Sequence, residues 1–343
     1  MGVRVTPSCD TINTVVISNA PSIQRTPDVA FGGGNYMVAW SDGRNGLFYR
    51  IYAARVTPAG SVLDPSGIQV GPANNLYHYY PSIAFNGTRF FVTWSYGYSP
   101  YDIMGRFIIT DGTLGDTVCI LKPGNPTYNT RMTFDGTNFL IVWVEWTGST
   151  YDLKGLRVSG STGAPVGASF TVAANVYYDN SIGLCYVAPY YQITYSALQG
   201  SIYQICGCFY NTSGQPVGTA FHISSSTYTC YQCDVIPGTG NRFLNIWSEA
   251  RSTYDIYGNT DIQTGIADHD VQKPDDRNAG PTIFMGATKW RYAGRGRAVV
   301  YSADGRKMGT GENGFYDCSR LRAGVYFLVT EGGETIQKVI LAR

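Results

Sequence analysis

Apolar residues arrive in short bursts along this chain, and each burst is cut off by a turn. FFVTW (90–94), FLIVW (139–143) and FLNIW (243–247) are almost unbroken apolar runs, and YMVAW and YQITY match them elsewhere. A strand-length run that is apolar nearly throughout predicts a strand covered on both faces. Ahead of each run stands a shorter segment such as PDVAF, PSIAF or RMTF, and GGGN, NGTR, DGTN or GTGN lies between the two. Asn-Gly and Asp-Gly supply the positive φ that two-residue hairpins need. A third segment starts at a Tyr and ends at a Gly turn, as in YDIMGRFIITDG, and the fourth is short: IQV, VCI, FTV or FHI. No helical periodicity lies between these segments, so the predicted fold class is all-β.

The bursts keep a period. NRFLNIWSEARSTYDIYG near residue 240 nearly repeats TNFLIVWVEWTGSTYDLKG a hundred residues earlier. A marker Tyr recurs at Tyr49, Tyr101, Tyr151, Tyr203 and Tyr254, with gaps of 52, 50, 52 and 51. A turn glycine recurs at Gly60, Gly112, Gly163, Gly214 and Gly265, and an aromatic closes the apolar run at Trp40, Trp94, Trp143, Tyr195 and Trp247. Five four-stranded units of this length predict a five-bladed β-propeller over residues 1–265. The fifth unit lacks its fourth strand. TVVIS (14–18) carries Ile17, 70 − 17 = 53 residues before Val70, so the N-terminal strand is expected to complete the last blade and close the ring. Closure would remove two exposed sheet edges.

Strands alternate in direction, so the links from second to third strand share a face with the links between blades. That face gathers Tyr77, Tyr79, Tyr80, Tyr96, Tyr98, Trp146, Tyr177, Tyr178, Tyr228 and Tyr231 beside Ser, Thr and Asn. Aromatic planes ringed by hydrogen-bonding groups suit a sugar ring or a protein partner, and these ten residues are the expected ligand-binding or partner-binding set.

Composition adds little. The net charge is +1, so no strong field draws the chain to nucleic acid, and no apolar run is long enough to span a bilayer. MGVRVTPSCD has no signal-peptide core, which fits an internal protein or a processed one. His78, His222 and His269 are far apart, no metal-ligand spacing occurs, and no phosphate loop is present, so neither a metal nor a cofactor is expected. A propeller glycosidase would need two facing carboxylates. The candidates are Asp28 and Asp234 near first-strand starts, with Glu145 and Glu249 after second strands. Glu145 and Glu249 recur by blade, as do Asp102, Asp152 and Asp255, and recurrence points to structural duty, here bonds to turn amides. The expectation is therefore a protein that is not an enzyme. Five of the eight cysteines (Cys185, Cys206, Cys208, Cys230 and Cys233) fall in the most degenerate unit or its exit, where disulfides or buried thiols would replace lost packing.

Residues 266–280 read as a linker. Beyond it, residues 281–343 carry ten Lys/Arg against five Asp/Glu, and two further hairpin turns, Asp304-Gly305 and Gly332-Gly333. The pattern V-Y-S-x-D-G-R, then L-R-A-G-V-Y-F-L, then K-V-I-L-x-R resembles the type A C-terminal sorting domain of the bacterial type IX secretion system. Gly305, Leu321, Gly324, Tyr326 and Lys338 carry the likeness, which covers roughly the last 60 residues. The segment before residue 297 departs from that family. The resemblance implies an immunoglobulin-like β-sandwich over 281–343, the secretion machinery as a partner, and an extracellular or outer-membrane location. The expectation that combines these readings is a secreted, non-catalytic binding or adhesion module for a surface glycan or protein. The second reading is a homopolymer built propeller to sandwich as a filament or surface layer, and the third is a glycosidase.

Overall fold

The structure, a computed structural model, describes residues 1–6, 10–178, 182–237, 243–250 and 254–259 of the repeat region. Beyond that it describes 282–285, 289–291, 298–302, 307–312, 315–322, 324–330 and 336–342. Every regular element among them is a β-strand.

A hairpin of β1 (Gly2–Val5) and β2 (Thr11–Val15) comes first. Blade 1 is β3 (Gln24–Gly32), β4 (Asn35–Asp42), β5 (Arg50–Val56) and β6 (Ile68–Gln69). Blade 2 is β7 (Tyr77–Phe85), β8 (Arg89–Gly97), β9 (Asp102–Ile109) and β10 (Leu114–Leu121). Blade 3 is β11 (Thr127–Phe134), β12 (Asn138–Trp146), β13 (Tyr151–Ser159) and β14 (Phe170–Ala173). Blade 4 is β15 (Ile182–Val187), β16 (Tyr190–Gln199), β17 (Ile202–Asn211) and β18 (Pro216–His222). Blade 5 has three strands among the described residues: β19 (Cys230–Pro237), β20 (Phe243–Ala250) and β21 (Tyr254–Asn259). Each blade is an antiparallel meander, as the alternating turns predict, and the first strands stand side by side around the ring.

The second strands of blades 2 and 3 are apolar at almost every position because each is packed between two neighbours. On β12, Phe139, Ile141 and Trp143 join a buried cluster with blade 2, while Leu140, Val142 and Val144 join one with blade 4. Side chains alternate across a strand, so two buried faces demand an unbroken apolar run. β16 departs from this. Its Tyr191, Ile193 and Tyr195 pack on blade 3, but Gln192, Thr194 and Ser196, on the other face, are buried polar residues. Gln192 Nε2 donates to Asn245 Oδ1 of blade 5 at 3.0 Å, and Ser196 Oγ donates to the Cys230 carbonyl at 2.9 Å. Cys185, Cys206 and Cys208 are buried in the same part of the core as free thiols, the second of the two readings the sequence left open. Burial raises the Cys206 and Cys208 thiols to about 11 and about 12, so they act as small apolar side chains.

The expected closure is corrected as well. The N-terminal strand pairs with β1, not with blade 5. Val15 and Ile17 instead cover Val38, Trp40, Tyr52, Ala54 and Val56 on the side of blade 1 that faces away from blade 2. Hairpin pairing satisfies the backbone of β2 locally, and Val15 gains its burial on blade 1.

The C-terminal residues form β22 (Thr282–Met285), β23 (Lys289–Arg291), β24 (Ala298–Ser302), β25 (Lys307–Gly311), β26 (Phe315–Asp317), β27 (Gly324–Thr330) and β28 (Ile336–Ala342). They give one five-stranded sheet, ordered β22-β28-β27-β24-β25, and a separate β23–β26 ladder. No immunoglobulin-like sandwich is seen in them. Leu321 is buried, Gly324 opens β27, and Tyr326 and Lys338 lie on the adjacent strands β27 and β28. The linker 266–280 and Gly305 lie outside the described residues.

Two outcomes follow. Val15→Ala removes buried methyls from the blade-1 cover and is expected to cost about 2 kcal/mol in urea melts. His78 is buried, stacked on Trp94 at 6.3 Å, and lowered to about 4 by desolvation and then by Arg50. It is neutral in the fold, so the unfolded chain binds its proton first. Stability is full above the ordinary histidine value near 6.5 and is lost as pH falls towards 4, by about 3 kcal/mol in all. In His78→Phe, melts across this window are expected to lose that component of the slope.

Candidate functional site

The first strands carry one repeated irregularity. The β-ladder slips between Arg25 and Asp28, Tyr79 and Ser82, Tyr128 and Arg131, and Tyr231 and Asp234. Within each slip sits a left-handed residue: Thr26 (φ 49°), Tyr80 (52°), Asn129 (54°) and Gln232 (48°). Such a conformation is unfavourable for side chains other than glycine, and its recurrence in four blades makes it part of the design. A bulge re-aims the residues that follow it. The re-aimed positions are Asp28, Ser82, Arg131 and Asp234, with Gly183 the counterpart in blade 4. Four residue types stand at these five positions, with Asp occurring twice, whereas the packing residues around them repeat.

Asp28 is fixed by three donors. Oδ2 accepts from Ser82 Oγ at 3.0 Å and from the Ile83 N–H at 2.9 Å, both on blade 2, and Oδ1 accepts from the Val29 N–H at 2.9 Å. Asp234, on blade 5, accepts the Val235 N–H at 2.8 Å. Its carboxyl is raised, chiefly because surrounding protein strips away solvent, and Asp28 adds to the rise while Arg131 opposes it. Its side chain still reaches solvent, as a carboxyl group lining a mouth does. Asp234 on blade 5 thus senses Asp28 of blade 1 and Arg131 of blade 3.

The other two candidate carboxylates serve the fold. Glu145 Oε2 accepts the Trp143 indole N–H at 3.2 Å, and Glu249 is 2% exposed. Asp42, which the sequence did not single out, does the same for Trp40 at 2.7 Å and pairs with Arg44. Asp42 and Glu145 therefore bond the indole two residues earlier on their own strand, whereas Asp152 accepts the Asn175 backbone N–H at 3.4 Å, as expected of a turn-bonding acid.

The aromatic set forms a belt. Tyr77 stacks on Tyr79 at 5.3 Å, and Tyr79 meets Tyr80, Tyr49 and Tyr101. From Tyr101 the contacts run through Tyr128 to Tyr151, which touches Trp146 and Tyr178. Tyr177 then joins Tyr178, Tyr203 and Tyr231. Tyr98 stands edge-on to Tyr77 at 5.7 Å and is well exposed, as are Tyr178 and Tyr228. Tyr96 does not join: it sits edge-on to His78 and accepts from Asn74 at 2.9 Å. The Arg25 guanidinium lies over the Tyr49 ring and donates to its hydroxyl, closing one end of the belt. Desolvation, with neighbouring tyrosines, pushes the Tyr79 hydroxyl up to about 12. Tyr49, Tyr101, Tyr151 and Tyr203 were legible only as period markers, although they bridge the belt between blades. Arg25 and Arg131 were missed, though counting from Asp28 along the repeat would have found Arg131. Among the described residues no group of three His, Cys, Asp or Glu is placed to hold a metal ion, and no helix is long and apolar enough to cross a membrane.

No protein-family model and no curated protein matches the chain, so nothing supports the sorting-domain resemblance. Solved structures do match. A Dyadobacter fermentans protein of unknown function aligns with TM-score 0.50 at 12% identity, over 72% of this chain and 80% of that one. An endo-arabinase from Bacteroides thetaiotaomicron aligns with TM-score 0.45 at 11% identity, over 72% and 96%. A GH32 β-fructofuranosidase from Bombyx mori aligns with TM-score 0.42 at 8% identity, over 93% and 86%. These likenesses bear on the fold, a five-bladed propeller. Of these three, the two with named activities are an endo-arabinase and a β-fructofuranosidase, which goes against the expectations of a non-catalytic adhesion module and of a non-enzyme; nothing found supports a filament subunit. Recurrence by blade, the argument for structural duty, applies to Glu145 and Glu249 and not to Asp28 and Asp234. Those two aspartates occupy a position that varies from blade to blade.

Asn129 tests the bulge. Its Nδ2 donates to the Tyr178 carbonyl at 2.8 Å across the blade 3–4 boundary. Asn129→Ala loses that bond and a residue type tolerant of the left-handed region, with an expected cost of about 1–3 kcal/mol in chemical denaturation.

Proposed function

We propose that the chain is a glycoside hydrolase whose reacting carboxyl groups are Asp234 and Asp28. The observation that carries this reading is their placement. Two carboxyl groups from different blades stand at bulge-aimed positions, and Asp234 is raised partly by Asp28. Glycosidic cleavage uses a carboxylic acid to protonate the leaving oxygen and a carboxylate to act at the opposite side of the sugar. Asp234, raised by burial and by Asp28, takes the acid role. Asp28 takes the carboxylate role, its orientation set by Ser82 and the Ile83 and Val29 amides. Arg131 supplies a positive charge on the same wall. Tyr79 and Tyr231 stand three residues before Ser82 and Asp234, so the belt offers rings on which a sugar chain rests while its linkage lies over the acids.

The test is reducing-sugar release from a panel of polysaccharides that includes an arabinan and a fructan. Asp234→Asn is expected to lower kcat/KM by about 100-fold or more on any substrate that is cut. Glu145→Gln is expected to leave it within a few fold while lowering thermal stability. The acid must be protonated to work, so wild-type activity falls as pH rises through the raised Asp234 value. Unchanged turnover in Asp234→Asn would remove the assignment, as would the absence of any hydrolysis across the panel.

A further inference from the structure

Four of the five bulge-aimed positions carry a side chain, and Gly183 of blade 4 does not. The ladder makes the five equivalent. Asp28, Ser82, Arg131, Gly183 and Asp234 each pair with the residue just before the aromatic that closes the second strand: Ala39, Thr93, Val142, Thr194 and Ile246. A glycine inside a strand weakens it, and it often marks a place where another backbone comes close. Gly183 is such a place. A Cβ there would lie 2.7 Å from the Val235 nitrogen and 2.8 Å from the Asp234 carbonyl carbon, both backbone atoms of β19, and 2.4 Å from Thr194 Oγ1. Unbonded carbon atoms settle at about 3.5–4.0 Å from one another, so two of these obstacles clear only if β19 itself moves. The φ of Gly183 lies outside the left-handed region. The glycine is therefore needed for space and not for backbone freedom.

Blade 1 shows what a side chain does at this position. Asp28 reaches across to blade 2, where its Oδ2 accepts the Ile83 N–H at 2.9 Å. Val235 is the blade-5 counterpart of Ile83, each being the residue after the bulge-aimed one. Gly183 offers Val235 no side chain, and the Val235 N–H donates to Oδ1 of Asp234 at 2.8 Å. At one boundary a carboxylate stands between two first strands and takes the amide of the next blade. At the other the spacer is gone, the strands close up, and the amide is left to the carboxyl group of its own blade. The joint is tightly enclosed: Cys233 and Val235, on either side of Asp234, are buried, and so is Thr194.

We propose that Gly183 is a positioning residue for Asp234: having no side chain, it lets β19 stand against β15 and sets where Asp234 is held relative to blade 4. This holds whether or not the chain cuts sugars. Its consequence for catalysis rests on the hydrolase reading, in which Asp234 is the acid. Pushing β19 away would admit water beside Asp234 and relieve the desolvation that raises its carboxyl, so the acid would lose its proton at lower pH.

The experiment titrates the full chain by NMR, with isotope-labelled aspartate carboxyls and valine amides, and Asp234→Asn identifies the Asp234 signal. Gly183→Ala is expected to lower the Asp234 midpoint by about half a pH unit or more. Adding Thr194→Ala clears the hydroxyl but neither backbone atom, so the fall is expected to persist. Gly155→Ala is the control. A Cβ there meets the Phe170 ring at 2.7 Å, so this variant is expected to melt earlier and leave the Asp234 midpoint in place. In the unaltered chain the Val235 amide signal is expected to move with the Asp234 titration, which keeps the geometry testable if Gly183→Ala fails to fold. On any substrate that is cut, Gly183→Ala is expected to lower kcat by about 10-fold or more with KM within a few fold. The NMR readouts need no substrate, so an absence of hydrolysis leaves them standing. An unmoved Asp234 midpoint in folded Gly183→Ala overturns the assignment, as does a fall abolished by Thr194→Ala or a Val235 amide that ignores the titration.

Discussion

In blades 1 to 4 the second strand is buried on both of its faces, and this constraint holds the rest of the molecule in place. Burial on two sides fixes the angle at which neighbouring blades meet, since Phe139, Ile141 and Trp143 must reach one cluster while Leu140, Val142 and Val144 reach another. Apolar area removed from water on both sides, at about 25 cal/mol per Å², makes these strands the stiffest part of each blade. The first strands inherit their positions from them through ladder hydrogen bonds. Because that support is fixed, the first strands can carry a bulge and a left-handed residue in four blades without losing register.

The support weakens towards the fifth blade. At the boundary of blades 4 and 5, part of the apolar packing gives way to a Gln192–Asn245 hydrogen bond, a Ser196–Cys230 bond and small buried cysteines. Polar bonds of this kind add little net stability, but leaving either partner unpaired is costly. They fix register more than they add adhesion. Among the described residues, no buried apolar cluster joins blade 5 to blade 1. The proposed reacting groups belong to blades 1 and 5.

Repetition and function occupy different residues in this chain. Carboxylates that recur after the second-strand tryptophan, Asp42 and Glu145, accept its indole N–H and serve the blade. The position that follows the bulge holds Asp28, Ser82, Arg131, Gly183 and Asp234 in turn, and there variation places unlike groups around one mouth. The marker tyrosines serve both ends. They keep the period, and their rings continue the aromatic belt from blade to blade.

Much of the architecture was legible in the chain itself. The period in Tyr, Gly and Trp, the Asn-Gly and Asp-Gly turns, and the two-sided apolar runs determine an all-β protein of five like units, because each is a local consequence of backbone geometry and alternation. The gathering of Tyr77, Tyr79, Tyr177, Tyr178 and Tyr231 on one face follows from strand direction and was equally legible. Other features were decided by contacts between residues far apart in sequence. Whether TVVIS adds to blade 5 or folds back on β1 depends on competition between two pairings that periodicity does not rank, and the structure chooses the local hairpin. That Asp28 bonds to blade 2 and raises Asp234 on blade 5, while Glu145 turns to its own Trp143, depends on a bulge whose left-handed residues, Thr26, Tyr80, Asn129 and Gln232, share no side-chain type. A backbone conformation imposed by packing leaves no such mark in the sequence, and the tertiary structure alone sets it.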